Sequence, residues 1–145
     1  MSIAVIPSRF GSKRFNGKPL ALIAGKPLIH RVYEQAVRAK SIDRVIIATD
    51  DDRILNLVEG FGAEAIMTSD APRSGTDRVA ETANLLNLDS DEIIINIQGD
   101  QPLFNAQCLD QLTAPFRDDP ELLMSTLAIK LTDKDAALDP GNVKV

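Results

Sequence analysis

The stretch Ile3-Ala4-Val5-Ile6-Pro7-Ser8-Arg9-Phe10-Gly11-Ser12-Lys13-Arg14-Phe15-Asn16-Gly17-Lys18-Pro19-Leu20 decides how the rest of the chain is read. Its opening run, Ile3 to Ile6, is long enough for a buried parallel strand and too short for a helix. Pro7 is expected to end that strand, because proline cannot donate to the next rung of a ladder. The loop beyond carries Arg9, Lys13, Arg14 and Lys18 among Ser8, Gly11, Ser12, Asn16 and Gly17, with no carboxylate among them. Glycines let the backbone come close to a ligand, and backbone N–H groups add donors to the side-chain charges. The loop therefore reads as a site for the triphosphate of a nucleotide, the plainer alternative being a solvated basic loop.

Two familiar phosphate loops do not fit. The Walker pattern needs four residues between its glycines and a Ser or Thr after its lysine. Here five residues separate Gly11 from Gly17, and Lys18 is followed by Pro19, which has no hydroxyl to offer magnesium. The dinucleotide fingerprint G-x-G-x-x-G is also missing, which removes the main support for a hydride-transfer enzyme or other dinucleotide-binding module.

The length of 145 residues suits one domain, able to bury roughly 68–70% of its unfolded surface. With 44% hydrophobic and 26% charged residues the composition is that of an ordinary globular protein. The net charge of −5 sets the basic first loop against an acidic background, which argues against a nucleic-acid binder. No stretch approaches the length of a membrane span, and the N-terminus lacks the layout of a signal peptide. The single cysteine, Cys108, cannot form an internal disulfide, fits a reducing cytoplasm and reads as a small core residue.

Gly25-Lys26-Pro27 is turn chemistry with proline placed to start a helix. Leu28, Ile29, Val32, Tyr33, Ala36 and Val37 then recur at helical spacing, and His30, the only histidine, falls on the wetter side in a surface or capping role. Arg44 to Thr49 is a second buried strand. Asp50-Asp51-Asp52 opens a helix carrying Ile54, Leu55, Val58 and Phe61, stopped around Gly60 and Gly62. Three adjacent carboxylates invite a metal reading, but aspartates at a helix N-terminus more simply cap free N–H groups and meet the favourable end of the dipole. A third strand runs from Glu64 to Thr68. The alternation predicts a parallel sheet with right-handed crossovers and helices on both faces.

A second polar loop, Ser69 to Arg78, leads into a helix with Val79, Ala80, Ala83 and Leu86 inside; Ser74 or Thr76 is its candidate N-cap. Arg73 and Arg78 flank a small-residue turn at the carboxyl end of a strand, the edge where open α/β sheets collect ligands. The next strand, Glu92 to Ile97, ends in Gln98-Gly99-Asp100-Gln101-Pro102. Asp100 can reach the crevice of the first loop and hold a magnesium ion shared with phosphate oxygens; an Asx-turn is the plainer role. Cys108, Leu109, Leu112 and Phe116 mark a helix limited by Pro115, and Leu123 to Leu131 alternates as a strand. Asp139-Pro140-Gly141-Asn142 is a turn before Val143-Lys144-Val145, which reads as the start of a further strand.

Together these residues resemble the 3-deoxy-manno-octulosonate cytidylyltransferases, from Ile3 to Val145. The resemblance rests on Ile6 to Arg14 with Gly17-Lys18-Pro19-Leu20, on Ser74-Gly75-Thr76-Asp77-Arg78, on Asn96 to Pro102, and on Asp139-Pro140 with Val143-Lys144-Val145. The related acylneuraminate enzymes share the first loop but typically have Lys-Asn at the place of Lys18-Pro19, and they lack the Gln-Gly-Asp run. The resemblance implies a Rossmann-like α/β fold of the nucleotide-diphospho-sugar transferase type, a mostly parallel sheet with helices on both faces. It also implies a nucleotidyltransferase that joins CTP to an eight-carbon sugar acid, giving CMP-sugar and pyrophosphate, with magnesium, for lipopolysaccharide in a Gram-negative cytoplasm. Carried over, Arg9, Ser12, Arg14 and Lys18 would bind the triphosphate, with Ser8 and Gly11 beside them. Ser74, Gly75, Arg78 and Gln98 would form the cytidine pocket, and Asp100 would ligate magnesium. Arg14, Lys18 and Asp100 would be the catalytic groups, acting by neutralising charge on the phosphoryl oxygens and the departing pyrophosphate.

The chain departs from that family in three places. Asn16 stands where proline commonly precedes Gly17, and Gln101 where glutamate is usual. Family members also continue well beyond residue 145, into most of the sugar-acid pocket, a second metal-binding aspartate and a dimer-forming segment. The 145 residues are thus expected to be a CTP-binding N-terminal portion of a longer, homodimeric enzyme; alone, the portion is expected to bind CTP–magnesium and to transfer slowly or not at all. The alternative substrate is a related sugar acid, the 8-amino analogue or an acylneuraminate.

Overall fold

The structure is a computed structural model that describes residues 1–11, 15–133, 135 and 138–141. Strand β1 (Ser2–Ser8) is followed by a 3-10 turn at Lys18–Leu20 and by a small hairpin of β2 (Leu22–Ile23) and β3 (Lys26–Pro27). Then come α1 (Leu28–Ala36), β4 (Arg44–Thr49), α2 (Asp52–Gly60), β5 (Glu64–Met67), α3 (Gly75–Leu85) and β6 (Ile93–Asn96). Helices α4 (Gln107–Thr113) and α5 (Pro115–Asp118) follow.

The main sheet has the order β5-β4-β1-β6, and every pairing in it is parallel. Alternation along β1 sends its side chains to two cores. Ala4 and Ile6, with Ile47, Ile95 and Ile97, pack against α1, α2 and α4 through Ile29, Val32, Ile54, Val58 and Leu109. Ile3 and Val5, with Ile46 and Ala48, pack against Val79 of α3 on the other face. Both faces of the sheet are therefore covered, as the near-continuous apolar strands require.

The expected strands and helices as far as α4 form, with differences that have local causes. Pro7 does not end β1, which continues to Ser8 beside Thr49. The Val5 carbonyl accepts from the Ile97 N–H on the β6 side, and Pro7, two residues on, faces the same way. Its missing donor thus falls where β6 has already stopped. Pro27 is the N-cap of α1 rather than its first helical residue, and Val37 lies just past the helix end, 47% exposed. His30 caps nothing: its ring stacks on Phe61 at 4.0 Å, with Nε2 3.7 Å from Glu34 Oε1, and it joins α1 to the end of α2. Ala80 of α3 faces out while Thr82 is fully buried, its hydroxyl donating to the Arg78 carbonyl. Cys108 is half-buried on α4, and Pro115 opens α5, which carries Phe116.

The expected strand from Leu123 to Leu131 is not one. The segment has no ladder partner among the described residues, and Leu123 and Ile129 are 97% and 86% exposed. Alternation makes a strand only where an edge accepts it. The Asp139 turn forms, with the Gly141 N–H donating to Asp139 Oδ1 at 2.7 Å, whereas Asn142 and the expected strand at Val143–Val145 lie outside the described residues.

Ile47 sits at 0% exposure in β4 between two neighbouring strands, so Ile47→Ala is expected to lower unfolding free energy by about 2–5 kcal/mol. Val37→Ala, on the wet side of the same core, should stay within about 0.5 kcal/mol. Urea unfolding of both variants measures the difference, and equal losses would contradict this assignment of the core.

Candidate functional site

The chain runs outward from β1 to β4 and β5, then returns to place β6 on the other side of β1. At such a reversal the connections leave the carboxyl ends of adjacent strands in opposite directions and open a crevice. A cavity of about 510 Å³ lies there. Pro7, Ser8, Arg9, Phe15, Lys18 and Pro19 line it from the end of β1 and its loop. Pro72, Ser74, Gly75 and Arg78 line it from the start of α3, and Gln98, Gly99 and Asp100 from the end of β6.

Segments far apart in sequence thus converge on one space. Lys18 Nζ donates to Asp100 Oδ2 at 2.8 Å across the mouth, with both side chains partly in water. An ion pair this exposed contributes little stability. Its effect is positional: each charged head is held at the cavity wall by the other. Asp100 is the one acidic side chain lining the cavity among the described residues, and its second oxygen makes no hydrogen bond to any of them. No cluster of three His, Cys, Asp or Glu side chains forms among those residues, so any cation here would draw most of its ligands from elsewhere.

The neck of the basic loop is closed by the Gly17 N–H donating to the Phe10 carbonyl at 2.8 Å. Gly17 has φ +70°, a backbone that favours glycine, and a Cβ there would come within 2.9 Å of the Phe10 ring and press on it. The Arg53 guanidinium lies over the same ring, 3.4 Å from its centroid, and Asp51 in turn accepts from Arg53 Nη2 at 2.6 Å and from Nε at 2.9 Å. The first loop is thereby braced against the N-terminus of α2. Gly99 is the other close approach: a Cβ would stand 3.1 Å from both the Pro7 carbonyl oxygen and Ser8 Oγ. Ser8 Oγ is buried at this wall with no hydrogen-bond partner among the described residues, a polar group whose burial becomes favourable when a ligand atom reaches it.

The wall opposite is built by α3. Ser74 is the N-cap, accepting from the Asp77 N–H at 3.1 Å, while Asp77 Oδ2 accepts from the Ser74 N–H at 2.9 Å, a reciprocal capping box. Arg78 lines the cavity but is only 3% exposed, and its outer nitrogens turn inward. Nη2 donates to Asp50 Oδ2 at 2.6 Å, and Nη1 to the Ser69 carbonyl at 3.1 Å and to Thr68 Oγ1. The three consecutive aspartates therefore divide their work: Asp50 pairs with Arg78, Asp51 caps α2, and Asp52 sits in the first helical turn.

Of the site residues expected from sequence, Ser8, Arg9, Lys18, Ser74, Gly75, Arg78, Gln98 and Asp100 line this one cavity. Gly11 is exposed and is not among the lining residues. Ser12, Lys13 and Arg14 lie outside the described residues. Asp50, Thr68, Phe10 and Arg53 support the walls, and sequence reasoning gave none of them that role. Phe15 lines the cavity as well, and an aromatic inside a cationic loop is a usable signal for it.

Gly99→Ala is expected to destabilise by about 1–3 kcal/mol, because the backbone carbonyl it would meet cannot swing aside as a side chain can; unchanged stability in urea would contradict the close approach. A second expectation concerns pH. The Arg53 guanidinium bonded to Asp51 holds that carboxyl below the ordinary carboxylate range, with help from the Arg53 backbone N–H and against partial desolvation. A carboxyl depressed in the folded state stabilises above its unfolded value and loses that contribution as pH falls through the folded one. The melting-temperature gap between the unaltered protein and Asp51→Asn should be widest near pH ~7 and close toward pH ~3. A gap constant across that range would count against the Asp51–Arg53 brace.

Residues 3–145 match the family described as cytidylyltransferase. The chain is 52% identical over 143 residues to a 3-deoxy-manno-octulosonate cytidylyltransferase of Desulfatibacillum aliphaticivorans, a match covering 99% of this chain and 58% of that protein. It is 48% identical over 142 residues to an 8-amino-3,8-dideoxy-manno-octulosonate cytidylyltransferase of Shewanella frigidimarina, covering 97% and 58%. Among solved structures, CMP:2-keto-3-deoxy-manno-octonic acid synthetase complexed with CTP superposes with a TM-score of 0.78 at 44% identity, over 83% of this chain and 49% of that one. A 4-diphosphocytidyl-2C-methyl-D-erythritol synthase superposes at 0.61 with 16% identity, over 78% and 53%, a likeness of fold alone. The chain spans about 58% of the length of the curated relatives it matches. With the family's pattern running along 143 of its residues and about half of them identical to such a relative, the chain belongs to the cytidylyltransferases.

Proposed function

We propose that this chain binds CTP in the cavity at the β1–β6 reversal and forms the nucleotide half of an enzyme that activates 3-deoxy-manno-octulosonate. The observation that carries the reading is the convergence of Lys18 and Asp100, 2.8 Å apart, at the cavity mouth beside Arg9. Cations from one loop and a lone carboxylate from another suit a magnesium–triphosphate, in which the ion takes one or two protein carboxylates and fills its other positions with phosphate oxygens and water. Asp100 would hold that ion through an oxygen, and its oxygen-only chemistry fits a hard cation. Bound there, magnesium supplies charge neutralisation on the phosphates.

The reaction asks little covalent chemistry of the protein. The sugar's anomeric hydroxyl oxygen attacks the α-phosphorus, the bond to the bridging oxygen of pyrophosphate breaks, and the hydroxyl proton passes to solvent. Arg9 and Lys18 meet charge that grows on the phosphoryl oxygens and on the leaving pyrophosphate; Ser12 and Arg14 join them by family resemblance. Ser74, Gly75 and Gln98 face the nucleoside, and Ser8 Oγ offers a preformed polar contact. The 8-amino sugar acid is an alternative acceptor, in keeping with the second relative's name. Magnesium dependence, homodimerisation of the complete enzyme and a cytoplasmic location belong to the same reading. Among the described residues no helix is long and apolar enough to cross a membrane.

A second reading rests on the chain's covering only 58% of its relatives: CTP binding without turnover. Calorimetric titration of CTP with magnesium, paired with pyrophosphate release in the presence of 3-deoxy-manno-octulosonate, separates the two. Lys18→Met is expected to weaken CTP at least about tenfold, ~1.4 kcal/mol, with little change in melting temperature. Binding of CTP that ignores both Lys18→Met and Asp100→Asn would overturn the site assignment, and tight NADH binding indifferent to CTP would overturn the nucleotide class.

A further inference from the structure

We propose that Asp50 is a positioning residue for the nucleoside: through its ion pair with buried Arg78 it fixes the Pro72–Gly75 wall of the cavity. The inference rests on the CTP reading and deepens it. Arg78 belongs to α3, whereas its partners close the far side of the sheet: Asp50 directly follows β4, and Thr68 and Ser69 follow β5. Thr68 is itself fixed, its N–H and hydroxyl both donating to the Thr49 carbonyl, at 2.7 and 3.1 Å. The guanidinium therefore ties the first turn of α3 to two strand ends at once.

That turn is what presents Ser74 and Gly75 to the cavity. The capping box sets their backbone relative to α3, and the Arg78 cluster sets α3 relative to the sheet. Gly75 is already close to the end of β1, where a Cβ would stand 3.2 Å from Pro7 Cγ, so a small rotation of α3 would either shut the nucleoside side of the cavity or open it. A buried ion pair is weak evidence for stability, since an apolar replacement often serves as well. Retaining a charged pair makes sense where placement is required, because the planar guanidinium bonds several acceptors in one fixed geometry. Arg78 spends its outer donors on this cluster, which leaves the wall, rather than the Arg78 charge, to meet the nucleoside.

Among the described residues no hydrogen bond or ion pair joins the Asp50–Arg78 pair to Lys18 or Asp100, so its removal should be felt by the nucleoside and not by the phosphates. The test compares CTP and inorganic tripolyphosphate, both with magnesium, on the unaltered chain, on Asp50→Asn and on Asp50→Glu. The result expected is about tenfold weaker CTP binding in Asp50→Asn, tripolyphosphate within about twofold, and substantial recovery in Asp50→Glu. Unchanged CTP binding, or equal loss of both ligands as a merely structural lesion would give, overturns the inference. Should Asp50→Asn melt below the assay temperature, Thr68→Val removes the hydroxyl that accepts from Arg78 Nη1 and donates to the Thr49 carbonyl but keeps the Thr68 N–H bond to that carbonyl, and the same ratio decides. Failure of the unaltered chain to bind CTP would instead sink the parent reading, and this one with it.

Discussion

The structure depends on one topological constraint: β6 returns to pair with β1 on the side opposite β4, so the chain reverses direction across the sheet at β1. Parallel pairing puts all the carboxyl ends at one edge, and the reversal keeps the loops after β1 and β6 from covering one another. A glycine at position 99 lets the second loop pass within contact of the first, against the Pro7 carbonyl and Ser8. From that closeness follow the cavity, the Lys18–Asp100 contact and a buried Ser8 hydroxyl that has no hydrogen-bond partner among the described residues. Without the reversal, the same cations would be a basic loop on an acidic protein.

The aspartate turn after β4 stands behind both walls. On one side Asp51 holds Arg53, which covers the Phe10 ring at the root of the cationic loop. On the other, Asp50 holds Arg78 and with it the start of α3. Neither aspartate lines the cavity, yet each fixes an element that does. Groups that work by charge neutralisation must be in place before the ligand arrives, since reorganising them during the reaction would raise the barrier they are meant to lower. A pair of bracing contacts rooted in a buried strand end is a physical means to that end.

How much of this could be read from the residues varies with the range of the interaction. The basic loop and Asp100 announce themselves by local composition and by following apolar runs, so eight of the expected residues fall on one cavity. The helix caps were legible in part for the same reason: Ser74 stood beside Thr76 as a candidate and the aspartate run before α2 read as capping, and the fold selects Ser74, boxed with Asp77, and Asp51. The role of Asp50 was not, because its partner lies 28 residues away and adjacent aspartates look alike until the fold separates them. Leu123 to Leu131 shows the opposite failure: a clear alternating pattern with no partner strand among the described residues. Pro7 was misread because a missing donor matters only on the side where a ladder continues. Val37 and Ala80 obeyed helical periodicity yet face water, since the stripe that packs is set by the sheet beneath and not by the helix alone.

The central claim is that residues from three separate stretches of the chain meet at one nucleotide. The most direct measurement is the change in backbone amide NMR shifts as CTP and magnesium are added. The account predicts that the largest shifts cluster at residues 8–9 with 18, 74–75 and 98–100 and saturate together with a single dissociation constant. Shifts concentrated on α2 or the outer edge at β5, or stretches saturating at different concentrations, would contradict it.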